Sequence, residues 1–170
     1  QTMDPLFALE QSLNGLQFGL MLFLLAAGLT LVFGIMDMIN LAHGSLYMIG
    51  AYLTATIAHV TGSFLLAVPL ALIATACFAM VLELTVLRHL YQRDHLAQVL
   101  ATFALILILN ELTRLIWGVH PLMFNLPESL SGSVEIVPGM SYPVFRLLII
   151  AVGLAVAVFL YVLIACTRTG

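Results

Sequence analysis

The chain has 170 residues, of which 63% are hydrophobic and 8% are charged, and its formal net charge is -3. Soluble domains are about 45–50% apolar and about 25% charged, so this composition excludes a water-soluble globular protein. The five arginines form no basic patch and there is no lysine, which excludes nucleic-acid binding. Cys77 and Cys166 each lie within an apolar run and predict neither a disulfide framework nor a metal site.

Five apolar runs are long enough to cross a bilayer as helices, because about 20 residues cover about 30 Å of hydrocarbon. None shows the sustained period-2 alternation that is typical of membrane barrel strands. The sequence therefore predicts an all-α fold, a polytopic membrane helical bundle. The predicted spans are Leu13–Ile35, Ala42–Val60, Phe64–Leu87, Leu96–Trp117 and Val144–Cys166.

The connections between the predicted spans differ in character. A polar break, Gly34 to Gly44, separates the first two spans, and Thr61 to Ser63 forms a tight turn. Arg88 to His95 is the most charged stretch of the chain. Gly118 to Pro143 is the longest connection, and it leaves room for a short strand or hairpin at Ser133–Val137.

Arginine placement predicts the orientation, since cytoplasmic loops carry an excess of Lys and Arg. The Arg88–His95 connection and Arg168 are expected inside, and five spans place both on the same side. The N-terminus, with Asp4 and Glu10 and no base, is then expected outside and residue 170 in the cytoplasm. Aromatic residues near predicted span ends are expected at the membrane interface: Tyr91, Trp117 and Tyr142.

Ionisable groups inside a span are costly and are therefore candidates for function. Glu111 and Arg114 stand three residues apart on the fourth span, so their side chains can meet on one helix face. One interpretation is an ion pair that neutralises itself near the outer end of the span. The alternative is that Asn110 and Glu111 line a path for solute. No histidines and carboxylates share the spacing of a metal site.

The polar break carries the most information about function. It places Asp37, Asn40, His43 and Ser45 between two apolar runs with no basic residue, which favours a broken helix over a simple cytoplasmic turn. Asn40 and Ser45 can cap helix ends, and Gly44 permits unusual backbone angles. A helix that starts here would offer free N–H groups to an anionic or polar solute.

The ordered motifs of Leu13 to Tyr52 strongly resemble the start of the LivH-type permeases of branched-chain amino-acid ABC importers. The usual NFAHG of that family reads NLAHG here, a mild change at Leu41. The similarity continues through Ala101-Thr102 and Leu112–Gly118 to Thr167–Gly170, which resembles an RTxxG entry into a cytoplasmic loop. The motifs that carry the resemblance are Leu13–Leu16, Gly28–Thr30, Phe33-Gly34, Asn40–Gly44 and Gly50–Tyr52.

The resemblance implies a multi-pass permease subunit in the bacterial inner membrane that moves branched-chain or other small amino acids. It implies a second homologous permease, cytoplasmic ATPase subunits and a periplasmic solute-binding protein as partners, in addition to membrane lipid. The permease itself would be no enzyme and would hold no cofactor. Because the family continues with more spans and an ATPase-docking helix, residues 1–170 are expected to be the N-terminal part of the permease domain.

By this interpretation the translocation pathway or gate is formed by Asn40, His43, Gly44 and Ser45, with Asn110, Glu111 and Arg114 as a possible further pathway element or a structural ion pair. A purely structural role for His43 remains an equal alternative. Urea and short-chain amide permeases have very similar sequences and are the nearest rival function. An ion-coupled secondary transporter or channel would also suit the polar break and Glu111. A membrane scaffold without transport would gain nothing from the break.

Overall fold

The computed structural model describes residues 5–120, 122 and 126–166. The predicted RTxxG segment, Thr167–Gly170, lies outside the described residues, and so does the interval 123–125. The long helices are α1 (Pro5–Met36), α2 (His43–Thr61), α3 (Phe64–Thr85), α4 (His95–Trp117) and α6 (Val144–Cys166). A 3-10 turn at Leu87–His89, a short helix α5 (Glu128–Ser131) and strands β1 (Ser133–Val137) and β2 (Met140–Pro143) complete the order.

The predicted all-α membrane fold is confirmed, and α1 is the helix whose predicted start was wrong. Its described part runs from Pro5 rather than Leu13, because Glu10 and Gln11 do not stop a helix. Its 32 residues extend about 48 Å, which exceeds about 30 Å of hydrocarbon. The part of α1 that contains Glu10, Gln11 and Ser12 can therefore lie at or beyond the edge of the lipid.

Four described helices are long and apolar enough to cross a membrane, and α2 is not among them. Residues such as His43, Ser45 and Thr54 make α2 more polar than the others. The segment from Ile39 to Thr56 nevertheless runs alongside α4: the Ile39 N–H bonds to Gln98 near the start of α4, and Thr56 accepts from Trp117 at its end. Helix α2 therefore lies against a helix that is apolar enough to span, although α2 itself is not.

One compact unit, Gly28–Asn125, contains the end of α1, the break, and α2 to α4. Gly62 caps the C-terminus of α2, and its left-handed φ of 65° and its N–H bond to Ala58 O reverse the chain into α3. Gly50 lets α3 approach closely, because an added Cβ would lie 3.3 Å from Thr75 Oγ1. The buried apolar core of this unit is formed by Met38, Ala42, Ile49, Leu87, Leu105 and Leu109.

The second compact unit consists of Gln1–Ala27 and Leu126–Gly170. Its β1 and β2 pair antiparallel from Ser133↔Pro143, with an irregularity between Glu135 and Val137, so the hairpin is confirmed. Gly139 closes the turn with φ 91°. The core of this unit is formed by Leu20, Met140, Tyr142 and Ile150.

The three aromatic residues expected at the membrane interface have three different environments. Tyr142 is fully buried, so that expectation was wrong for it. Trp117 is half-buried and donates its indole N–H to Thr56 Oγ1 at 2.7 Å. Tyr91 is on the α3–α4 connection and donates to Glu83 Oε1 at 2.7 Å. Burial, that hydrogen bond and the Glu83 charge together raise the pKa of Tyr91 to about 12, so the phenol remains a donor at neutral pH.

Candidate functional site

The polar break is a short irregular segment between α1 and α2. Asp37 has a left-handed φ of 46°, and its N–H bonds to Phe33 O at 2.9 Å. Gly44, which was expected to supply the unusual backbone angle, lies inside α2 and has no positive φ. Asp37 takes that role because a short side chain with a hydrogen-bonding oxygen tolerates the left-handed region.

Asn40 stabilises the turn that precedes α2. Its side chain is 4% exposed, and its Oδ1 accepts the Ala42 N–H at 3.0 Å. The capping expectation was wrong in detail, because Ala42 is the N-cap residue and no side chain caps α2. Asn40 instead forms an Asx-type turn with Ala42, just before the helix begins. Ser45 is buried within the first turn of α2.

The start of α2 offers few free N–H groups. The Ala42 N–H bonds to Asn40 Oδ1, the His43 N–H to Asn40 O, and the Ser45 N–H to Ala42 O. Three of the first four donors are therefore already engaged within the chain, which contradicts the expectation of an open helix terminus. A solute at the break would have to meet side chains rather than a row of unpaired amides.

His43 packs on the backbone of α1. A Cβ built at Gly28 would lie 2.7 Å from His43 Nε2, which is closer than ordinary contact. The ring forms no hydrogen bond within the described part of the chain. Gly28 therefore makes room for the imidazole, and the structural role of His43 has direct geometric support. The ring joins the end of α1 to the first turn of α2.

We expect Gly28→Ala to cost about 1–3 kcal/mol of unfolding free energy, because the new methyl overpacks against the imidazole. His43→Ala removes the ring, so adding it to Gly28→Ala should recover most of that loss. A double-mutant cycle in detergent, measured by denaturant or thermal unfolding, gives the coupling energy. Gly34→Ala is the matched control, since nothing lies within 4 Å of a Cβ there. Equal losses for Gly34→Ala and Gly28→Ala would contradict the contact.

Gln98, in the first turn of α4, connects the break to the α3–α4 connection. The side chain is 2% exposed, and its Oε1 accepts the Ile39 N–H at 3.3 Å. Its Nε2 donates to Leu90 O at 3.2 Å and to Arg93 O at 3.1 Å. One buried amide thus holds together both irregular segments at this end of the unit.

Sequence reasoning missed Gln98, although a signal was present. A glutamine inside a predicted span is a polar group that must find partners away from water. Thr102, one turn later on the same face, is fully buried and donates to Gln98 O at 2.8 Å. The break accordingly lies level with the first turn of α4, near one end of the helices rather than at their midpoint.

A small apolar cavity of about 250 Å³ lies beside the break. Asn40 contributes polar atoms to it, while most of its wall is aliphatic or aromatic. The cavity is lined by Leu29, Thr30, Phe33, Ile39, Asn40 and Leu41. Of the predicted pathway residues, Asn40 borders this cavity, whereas His43 contacts Gly28.

The second predicted cluster lines a groove between α2 and α4 of about 730 Å³. The expected ion pair is formed: Arg114 Nη1 lies 3.4 Å from Glu111 Oε2, and the two side chains are 62% and 61% exposed. Met48 and Tyr52 contribute the α2 wall. Asn40 of the first predicted cluster and the residues of the second cluster therefore border separate cavities. The full lining is Met48, Tyr52, Leu107, Asn110, Glu111, Thr113 and Arg114.

Tyr52 in the wall of the α2–α4 groove contacts Trp117 at the end of α4. The centroids of the Trp117 and Tyr52 rings lie 5.2 Å apart, and the Trp117 indole N–H donates to Thr56 Oγ1. Thr113 is buried beneath the groove and donates to Leu109 O at 2.8 Å. Within the described ranges, no three His, Cys, Asp or Glu side chains gather into a site that could hold a metal ion.

Comparison with known proteins identifies the family. Residues 11–170 match the family described as branched-chain amino acid transport system / permease component. The high-affinity branched-chain amino acid transport system permease protein LivH of Salmonella typhimurium and that of Escherichia coli K12 are each 49% identical over 49 residues, which cover 29% of this chain and 16% of the relative. BraD of Pseudomonas aeruginosa, named likewise, is 53% identical over 45 residues, 26% of this chain and 15% of that protein.

The aligned segment thus covers less than a fifth of each of these relatives, whereas the family match covers almost the whole chain. No solved structure matches the chain. The motifs from Leu13 to Tyr52, the helical membrane fold and the match over residues 11–170 agree with one another. This chain belongs to the family of permease components of branched-chain amino-acid transport systems.

Proposed function

We propose that this chain is a permease subunit of an ATP-binding-cassette importer that moves branched-chain or related small amino acids across the bacterial inner membrane. The observation that carries the proposal is the family match over residues 11–170. The relatives LivH and BraD are named as permeases of high-affinity branched-chain amino-acid transport systems, which supports the substrate class. Four long apolar helices support the membrane location.

The proposed mechanism involves no covalent chemistry in this subunit. A permease works by contacting solute differently in its outward-facing and inward-facing states. We place the gate at the polar break, with Asn40, His43, Gly44 and Ser45 as its core. Two observations support this placement: the break contains buried polar groups and a left-handed residue, and an apolar cavity suited to an aliphatic side chain borders Asn40.

The proposed partners are a second homologous permease, cytoplasmic ATPase subunits and a periplasmic solute-binding protein. ATP hydrolysis is assigned to the ATPase subunits. The spanning helices support an assembly of this kind, because only 6–22% of their most apolar windows is buried within the described chain. Lipid covers much of such a surface, and partner helices can cover the remainder.

The test is uptake by the complete importer in proteoliposomes with ATP available to the ATPase subunits. We expect ATP-dependent uptake of leucine, isoleucine and valine that an uncoupler does not abolish. Competition by urea or acetamide but not by leucine would instead assign an amide permease. Uptake that collapses with the uncoupler at constant ATP would assign an ion-coupled transporter.

The proposed orientation places the Arg88–His95 connection in the cytoplasm and the N-terminus outside. In a cysteine-free background, Val119→Cys should react with an impermeant thiol reagent in intact cells. Gln92→Cys, on the α3–α4 connection, should react only after the cells are permeabilised. The reverse pattern would contradict the orientation and leave the family assignment unaffected.

A further inference from the structure

We propose that the α2–α4 groove is a binding site for a zwitterionic α-amino acid, with Glu111 recognising the ammonium group and Arg114 the carboxylate. This inference rests on the proposed transport of amino acids and adds a location and a chemistry to it. It is carried by three features of the groove: an exposed charge pair, an apolar wall opposite the pair, and a suitable volume.

The charge pair lies in the last two turns of α4, towards the proposed outer face. Glu111 and Arg114 lie within a helix that is apolar enough to span, yet both side chains are more than half exposed. Charged groups within spanning helices almost always face water or protein rather than lipid, which favours a groove that is open to the outside. Asn110 and Thr113 add polar atoms on the same side of α4.

The contact between Glu111 and Arg114 leaves hydrogen-bond donors and acceptors available for a ligand. A single contact of 3.4 Å joins Arg114 Nη1 to Glu111 Oε2, whereas a guanidinium carries five N–H donors and a carboxylate two acceptor oxygens. The ammonium and carboxylate of an α-amino acid are attached to one carbon atom, so they can contact two adjacent and oppositely charged side chains together. Arg is well suited to bind a carboxylate through parallel hydrogen bonds.

The remaining wall suits an aliphatic side chain. Met48 and Tyr52 on α2 and Leu107 on α4 supply apolar surface next to the charge pair. Methionine adapts its shape readily, which favours ligands that differ by one methyl group. The groove volume of about 730 Å³ falls within the range of about 300–1,000 Å³ that is usual for small-molecule sites. In the proposed orientation, this site lies towards the outer face and receives the incoming solute.

The test measures protection of a single cysteine in the complete importer. Asn110→Cys is placed in a background with Cys77→Ser and Cys166→Ser, and is labelled from outside with an impermeant thiol reagent. We expect saturating leucine to slow labelling at least tenfold. The analogue that lacks the ammonium group (4-methyl-2-oxopentanoate) and the one that lacks the carboxylate (leucinol) should protect poorly. Val119→Cys, outside the groove, should react at the same rate with or without leucine.

Substitutions of the pair test the two assigned roles. Glu111→Gln and Arg114→Gln should each raise the leucine concentration for half-protection at least tenfold, since a hydrogen bond to a charged group is lost. Glu111→Gln should also erase the preference for leucine over the oxo acid, and Arg114→Gln the preference over leucinol. A merely structural ion pair would not change these two preferences separately. If either variant fails to assemble, Glu111→Asp and Arg114→Lys should give smaller shifts in the same direction.

Four results would overturn the inference. Absence of labelling at Asn110→Cys would show that lipid or a partner subunit covers the groove. Equal protection by leucine and its two analogues, or unchanged protection in the Gln variants, would remove the assigned recognition. Protection of Asn110→Cys by phosphatidylethanolamine in the absence of leucine would assign the groove to a zwitterionic lipid headgroup. Leucine uptake by the same unmodified importer separates these outcomes from failure of the proposed function.

Discussion

Replacing Gln98 by leucine is expected to lower the free energy of unfolding by about 2–4 kcal/mol and to slow transport about tenfold. The substitution keeps a similar side-chain volume but removes every hydrogen bond of the amide. The Ile39 N–H loses its acceptor, and the carbonyl oxygens of Leu90 and Arg93 lose their donor. Unsatisfied buried groups cost about 1–3 kcal/mol each, and partial access to water at this end of the helices reduces the sum.

The transport defect should exceed what instability alone produces. If the break is the gate, Gln98 is the side chain that fixes its position relative to the Leu90–Arg93 segment on the proposed cytoplasmic side. This amide bonds directly to both the break and that segment, so movement transmitted between them would pass in part through it. Loss of the amide should therefore lower the maximal uptake rate more than it changes the solute concentration at half-maximal uptake.

The control for Gln98→Leu is Gln92→Leu, the same substitution at an exposed position on the α3–α4 connection that precedes Gln98. It should leave both stability and uptake close to those of the unchanged protein. Gln98→Glu should be as damaging as Gln98→Leu, because a second carboxylate oxygen would face two carbonyl oxygens. Thermal unfolding in detergent and ATP-dependent uptake in proteoliposomes are the measurements. Normal uptake by Gln98→Leu at normal protein level would show that the amide has no part in transport.

The sequence predicted the membrane helices well, because the apolar length that makes a span is a local property of the chain. A long apolar run that crosses lipid forms a helix, because its backbone polar groups must be hydrogen-bonded within the protein. The predicted spans that start at Phe64, Leu96 and Val144 therefore agree with α3, α4 and α6 to within one or two residues. The hairpin at Ser133–Val137 was also found, since turn residues and β-branched residues mark it. The start of α1 was missed because polar residues can continue a helix beyond the lipid.

The interior of the break could not be predicted in the same way. Its hydrogen bonds join residues that are far apart in sequence, as Ile39 and Gln98 show. Which residue takes the left-handed conformation depends on how α1 ends, and Asp37 rather than Gly44 takes it. The pair Glu111 and Arg114 was predicted because three residues on one helix fix the geometry, whereas the opposite wall of their groove, on α2, was not.

The environment of Tyr142 is set by tertiary packing rather than by its position next to a predicted span. An aromatic residue next to a span is expected at the lipid interface, yet Tyr142 is fully buried among Leu20, Met140 and Ile150. Its hydroxyl donates to Asn14 Oδ1 at 3.0 Å. Tyr142→Ala should therefore cost about 3–5 kcal/mol of unfolding free energy, the range for truncating a buried aromatic side chain.

Tyr142→Phe separates the packing of the ring from its hydrogen bond. Asn14 Oδ1 also accepts from Arg146 Nη1 at 2.7 Å, so loss of the hydroxyl leaves that oxygen with a partner. The phenylalanine variant should consequently lose only about 0.5–1.5 kcal/mol in denaturant or thermal unfolding of the detergent-solubilised protein. Equal losses for the two variants would mean that the hydroxyl, not the ring, stabilises this unit. The difference matters for the hairpin, because the ring is the part of β2 that packs into the core with α1 and α6, and a weakened core would release the hairpin from both helices.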